Sequence, residues 1–188
     1  GTHVFCSDNI RVAVFKLSTD IGKSFMLHAG LISELSKFDV KHFCISDSWA
    51  HFLTEDSTVF SVKRIRGESM DFYLDLLDGF KGKAIPIPDG LKEIVNAASV
   101  MSANDDQKPM KLTLKDGEMI CETHNERGWV EKRVEVDGAK KSNMEMTISA
   151  LYLQYILELP NVQMISGDGK SFFESGQFKY ILLHRSDD

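Results

Sequence analysis

Leu31, Leu91 and Leu151 stand sixty positions apart, each near the start of an apolar stretch with helical spacing. Around each of them the sequence reads strand, helix and then three short strands, and a recurrence at that interval restricts the fold more than any other feature of the chain. The last copy is the clearest. Residues 143–148 alternate apolar and polar side chains as a half-buried strand does, and Ser149 is placed to cap a helix. Good helix formers over 150–159 follow, until Pro160 stops them. Strands over 162–166, 171–174 and 179–183 come next, divided by turns at Gly167-Asp168-Gly169 and Ser175-Gly176-Gln177.

The same order precedes it twice. In the middle copy, Pro86 and Pro88 mark residues 83–88 as an edge strand, and Asp89 is expected to cap a helix over 90–103. That helix turns Leu91, Ile94, Val95 and Ala98 inward and Lys92, Asn96 and Ser99 outward. Strands over 110–114, 118–123 and 129–136 follow, the first two joined by the hairpin signal Asp116-Gly117. The first copy has a strand over 24–27, a helix over 29–38 with Leu31, Ile32, Leu35 and Phe38 on one face, and strands over 40–46, 49–54 and 58–65. A connector from Asp71 through Gly79 and Gly82 links the two copies. Residues 2–17 form a hairpin, turning at Asp8-Asn9, with no helix before it, and read as the tail of a further unit. The class is α+β with antiparallel sheets: βαβββ units are too large for a solenoid repeat and too poor in helix for a doubly wound sheet. Antiparallel strands need cover on one face only, so two such units are expected to pair around a shared core.

Composition narrows the function classes. With 28 acidic and 22 basic side chains the net charge is −6, which excludes a basic nucleic-acid wrapper but leaves room for a local basic face. No apolar run of membrane-spanning length, signal peptide or lipidation motif is present, so a soluble, cytoplasmic protein is expected. The three cysteines, Cys6, Cys44 and Cys121, are widely spaced and odd in number, which argues against a disulfide framework. Histidines lie near each (His3, His42 and His124), but no CxxC accompanies them, and buried thiols are expected instead of a zinc site. Gly169-Lys170-Ser171 and Gly22-Lys23-Ser24 end like phosphate loops, yet Met164 and Leu17 stand where the first glycine must be. The carboxylate pairs Asp105-Asp106 and Asp187-Asp188 fall in polar loop or tail and read as solvated. No cofactor and no catalytic residues are expected. The competing classes are a generic interaction domain and an enzyme whose site carries no recognisable motif, and neither accounts for the repeat.

The ordered motifs resemble the bacterial DNA polymerase III β subunit, the sliding clamp, in its C-terminal half. Ser7-Asp-Asn-Ile-Arg-Val-Ala13 is similar to that family's Thr-Asp-Gly-His-Arg-Leu-Ala stretch, and Asp71-Phe72 with the apolar run after it resembles its Pro-Asp-Tyr connector. Ser149-Ala-Leu-Tyr152-Leu is similar to the Asn-x-x-Tyr-Leu helix start, and Phe178-Lys-Tyr-Ile-Leu-Leu183 to the final strand before a Met-Pro-x-Arg end. The chain departs from the pattern at Asn9-Ile10, which replaces Gly-His, at His184 in the proline position, and in its polar ending Arg185-Ser-Asp-Asp188. These departures fit a divergent or phage-type member.

The resemblance implies a clamp fold with antiparallel sheets outside and helices on the inner face. Residues 1–80 would be a remnant of the middle domain and 81–188 the complete C-terminal domain. It implies a non-catalytic processivity factor that encircles double-stranded DNA without sequence preference and tethers the replicative polymerase and the clamp loader through short peptide motifs. The family's full-length protein is a homodimeric ring, whereas a span of this length would be monomeric. The DNA-facing candidates are Lys37, Lys41 and Lys92, with Asn96 and Gln154 adding polar contacts. The peptide groove carried over from the family takes Ser7, Arg11, Val12, Met70, Leu74, Tyr152, Phe172, Leu183 and His184, a largely apolar set with polar rims, as a peptide anchor site needs.

Overall fold

The computed structural model describes residues 2–8, 10–67, 72–102, 109–126, 128–140, 142–167 and 169–185. In chain order the elements are β1 (His3–Ser7), β2 (Arg11–Lys16), α1 (Ala29–Leu35), β3 (Val40–Ile45), β4 (Trp49–Thr54) and β5 (Val59–Lys63), then α2 (Phe72–Asp78), β6 (Lys83–Ile85) and α3 (Leu91–Ser99, followed by a 3-10 turn). They continue with β7 (Pro109–Lys115), β8 (Glu118–Asn125), β9 (Gly128–Glu135), β10 (Met144–Ser149), α4 (Ala150–Leu157), β11 (Gln163–Gly167), β12 (Lys170–Ser175) and β13 (Phe178–Leu183). The fold is α+β, and every strand pairing is antiparallel.

Three sheets result. One has six strands in the order β1-β2-β13-β12-β11-β6, one has four in the order β10-β7-β8-β9, and one has three, β3-β4-β5. The second and third units lend each other their opening strands: β6 pairs with β11, and β10 pairs with β7. Each triple of strands has an open edge, and the neighbour's first strand satisfies its unpaired N–H and C=O groups. Entry of β6 requires close backbone approach. A Cβ on Gly82 would lie 2.6 Å from the Ser166 carbonyl oxygen, and one on Gly167 would lie 2.7 Å from that of Lys81.

One core fills the space between these two sheets and α3 and α4. Leu91, Val95 and Ala98 of α3, Leu153 and Ile156 of α4, Leu112 and Leu114 of β7, Ile148 of β10 and Phe173 of β12 are all buried in it. The helices lie antiparallel, since Lys92 meets Glu158 while Asn96 meets Gln154. A smaller apolar cluster occupies the opposite face of the six-stranded sheet, where Val12, Val14, Phe172 and Ile181 pack against Leu77 of α2.

Several expectations are corrected. Residues 72–78 form a helix where a connector was expected: Tyr73, Leu74 and Leu77 share one face while Asp75 and Asp78 face solvent, and that face packs on the sheet. Residues 24–27 do not form a strand, and only Met26 makes a bridge, to Ile65. Asp89 is not a cap; Gly90 holds that position without a side-chain bond, and Ser149, although at the N-cap of α4, makes no capping bond either. On α1 only Leu35 is buried, while Leu31, Ile32 and Phe38 remain 40%, 49% and 45% exposed. Periodicity identifies an apolar face but not the neighbour that covers it. The face of α3 is covered by α4 and the sheets, whereas around α1 the ring of Phe38 rests on that of Phe60, 4.4 Å between centroids. Of the cysteines, Cys121 alone is buried; Cys6 and Cys44 are exposed, because they lie on the open faces of β1 and β3. Among the described residues no helix is long and apolar enough to cross a membrane.

Candidate functional site

The residues proposed for a peptide groove gather around β2 and β13, adjacent strands of the six-stranded sheet, but they divide between its two faces. Strand alternation dictates the division: neighbours such as Arg11 and Val12, or Leu183 and His184, must point opposite ways.

On the face that carries α2, Val12 and Phe172 are buried and Leu74 packs against them, joined by Phe80, whose ring stacks on that of Phe172 at 5.6 Å. Ser7 lies across from Val12 in the β1–β2 register, and its Oγ accepts a hydrogen bond of 3.2 Å from the Tyr73 hydroxyl. Leu183, two residues beyond buried Ile181, continues this face and is 43% exposed, and its N–H donates to the Ile10 carbonyl at 3.0 Å. With Phe72 and Leu76 also exposed on α2, the surface offers apolar anchorage over a packed floor. Met70 lies outside the described residues, as do Asn9, the paired aspartates 105–106 and 187–188, and the turn residue Asp168.

On the other face, the Arg11 guanidinium lies over the Tyr152 ring, 3.9 Å from its centroid, and its Nε donates to the Asp8 carboxylate at 2.8 Å. The same carboxylate accepts the backbone N–H groups of Ile10 and Arg11, which fixes the turn. Burial works against charge on Arg11, but hydrogen bonds to Asp8 and Tyr180 outweigh it and hold the guanidinium more firmly protonated than usual. Burial pushes the Tyr180 hydroxyl upward, Arg11 opposing. Tyr152 is therefore half-buried beneath a cation and ties α4 to β2. His184 faces this side too. Its Nε2 lies 2.8 Å from the Oγ of fully buried Ser171, and burial lowers its pKa below the ordinary histidine value. It lines a separate cleft of about 220 Å³ with Lys83, Glu145 and Gly169.

The structure thus brings Ser7, Val12, Leu74, Phe172 and Leu183 together and sets Arg11, Tyr152 and His184 apart from them. Sequence reasoning missed Tyr73, Phe80 and Ile181 on the first face and Asp8 and Tyr180 on the second. Applying alternation to β13 would have found Ile181 and Tyr180, and helical spacing in 72–78 would have found Tyr73.

The residues proposed to face DNA share one feature. On the seam between α3 and α4, Gln154 Nε2 donates to Asn96 Oδ1 at 2.9 Å and to Ser99 Oγ at 2.8 Å, while Lys92 pairs with Glu158 at 2.8 Å. Lys37, just past α1, pairs with Glu34 at 2.7 Å. Lys41 lies on β3 and not on a helix, and pairs with Asp39 at 2.7 Å and Glu55 at 3.5 Å. Each lysine therefore presents a compensated charge. Among the described residues, no group of three or more His, Cys, Asp and Glu side chains could hold a metal, and burial pushes the Cys121 thiol up to about 12.

No protein-family model and no curated protein sequence matches the chain. Solved structures do. The Pseudomonas aeruginosa DNA polymerase III subunit β superposes with a TM-score of 0.78 at 17% identity, over 98% of this chain and 55% of that one. Caulobacter crescentus pol III β gives 0.80 at 16%, over 98% and 53%. A Pseudomonas aeruginosa sliding clamp bound to griselimycin gives 0.77 at 17%, over 98% and 54%. The chain spans about half the length of each of these clamps. Over nearly its whole length, the chain has the fold of the bacterial sliding clamp, the DNA polymerase III β subunit.

Proposed function

We propose that the chain serves as a DNA polymerase processivity factor: a non-catalytic clamp that encircles duplex DNA and tethers the replicative polymerase and clamp loader through short peptides. The observation that carries this reading is the reciprocal loan of β6 and β10, which leaves α3 and α4 side by side on one surface and the sheets behind them. In a ring, such a seam faces the hole. Lys37, Lys41 and Lys92 would contact phosphate only by leaving their carboxylates, which makes for a weak, salt-sensitive and sequence-independent hold suited to sliding. Residues 1–80 belong in this reading to the middle domain and 81–188 to the C-terminal domain. The full-length protein forms the homodimeric ring in the cytoplasm, and the present span alone is monomeric.

The apolar surface at Leu74, Phe172 and Leu183 is the peptide site, and Tyr152, tied to Arg11, borders it from the far side of the sheet. Two buried anchors should give micromolar affinity, about −8 kcal/mol, because ordering a flexible peptide offsets much of the apolar gain. The test is a titration with the labelled C-terminal peptide of the host's replicative polymerase. Leu183→Ala should weaken binding by about 1–3 kcal/mol, and Tyr152→Ala should weaken it less. Equal binding by wild type and folded Leu183→Ala would refute the site.

A further inference from the structure

Lys37, Lys41 and Lys92 are each matched by a carboxylate, but another group of cations has no such match among the described residues. β5 ends on Lys63, and the residues after it add Arg64 and Arg66, so three cations fall within four positions of a chain whose net charge is −6. All three line a cleft of about 630 Å³, together with Asp47 and Ser48 from the turn between β3 and β4. Lys63 and Arg66 are exposed and, among the described residues, form no ion pair. Arg64 is fixed in place: its Nη1 donates to the carbonyls of Ser46 at 2.8 Å and Asp47 at 3.3 Å, while its Nε–H is buried with no acceptor among the described residues. Three cations against the Asp47 carboxylate leave the described lining residues a net charge of +2.

We propose that this cleft binds phosphate groups of a nucleic-acid backbone. Lys63 and Arg66 neutralise the phosphate oxygens, and Arg64 forms a fixed cationic wall between them. Guanidinium forks match phosphate geometry and are weakly hydrated, which suits exchange of water for a polyanion. Among the described lining residues there is no aromatic ring on which a base could stack and no side-chain amide, so what the cleft offers a nucleic acid is positive charge. Asp47 works against an anion, and its neutralisation should strengthen the hold. The choice of DNA as the carrier of the phosphate rests on the clamp reading; the cationic character of the cleft does not.

The test is fluorescence anisotropy of a labelled short linear duplex with the full chain across a salt series, with folding of every variant checked by circular dichroism. Lys63→Ala/Arg66→Ala should flatten the dependence of log K on log salt by about 1.8, or 0.9 for each lost contact. Asp47→Asn should raise the affinity, and Lys132→Ala, an exposed lysine on β9, should leave the slope unchanged. An unchanged slope in the double variant overturns the proposal. So does a wild type that ignores the duplex while inorganic phosphate shifts the Arg64 Nε–H resonance, since the site then takes free anion. A polyglutamate peptide held as tightly as the duplex, through the same two side chains, overturns the phosphate assignment. A flattened slope in a protein that fails the polymerase-peptide titration leaves the cleft standing without the clamp reading, and the reverse pair of results sinks the cleft alone.

Discussion

Arg11 shows how much one side chain can hold. It spans Asp8, Tyr152 and Tyr180, three residues from a turn, a helix and a strand, and its charge is favoured by the first and third. The motif that suggested Arg11 named the residue but not its direction, because nothing in Ser7-Asp-Asn-Ile-Arg-Val-Ala13 states which neighbour faces which side of the sheet. His184, in the position where the family carries proline, is the residue whose chemistry can be read most directly in solution. Burial lowers its pKa from the ordinary 6.5, so the folded chain favours the neutral ring while the unfolded chain takes up the proton more readily. Its contribution to stability is therefore intact above about pH 6.5 and is lost as the pH falls through the lowered value. Melting curves at pH 7.5 and pH 5.5 should show a smaller acid-induced drop for His184→Gln than for the wild type. An equal drop would mean that the ring is not held neutral beside Ser171.

Among the elements, strands were the most legible. Alternation placed β3, β4 and β7 to β13 to within a residue or two, and Asp116-Gly117 does turn, with φ of 54° and 87°. The failures have physical causes. Residues 24–27 carry strand composition, but pairing is a tertiary matter and only Met26 finds a partner. The helix over 72–78 was hidden by its shortness and by two glycines beyond it. The sixty-residue repeat gives equivalent positions unequal energies, and that difference can be measured. Leu91 is fully buried while Leu31 is 40% exposed. Leu91→Ala should cost about 2–5 kcal/mol, as in other large-to-small core changes. Leu31→Ala should cost less than about 1 kcal/mol. Urea unfolding of both variants decides it, and comparable losses would show that α1 is covered in solution.

For the whole molecule, the repeat announced paired units but not the exchange of opening strands, because which edge accepts which strand is settled by the closeness that Gly82 and Gly167 permit. Nor could charge counting reveal that Lys37, Lys41 and Lys92 come with carboxylates while Lys63 and Arg66, among the described residues, do not, since such pairing depends on the folded neighbourhood. The candidate groove was legible as a set of residues and illegible as a surface. Five of its members lie together on the α2 face, while Arg11, Tyr152 and His184 pack against the opposite face of the sheet. Amide hydrogen exchange, with and without the polymerase C-terminal peptide, tests this account most directly. Protection should rise in α2, in β2 around Val12 and at Leu183, and stay unchanged along the α3–α4 seam. Protection confined to the seam, or none at saturating peptide, would contradict the clamp reading.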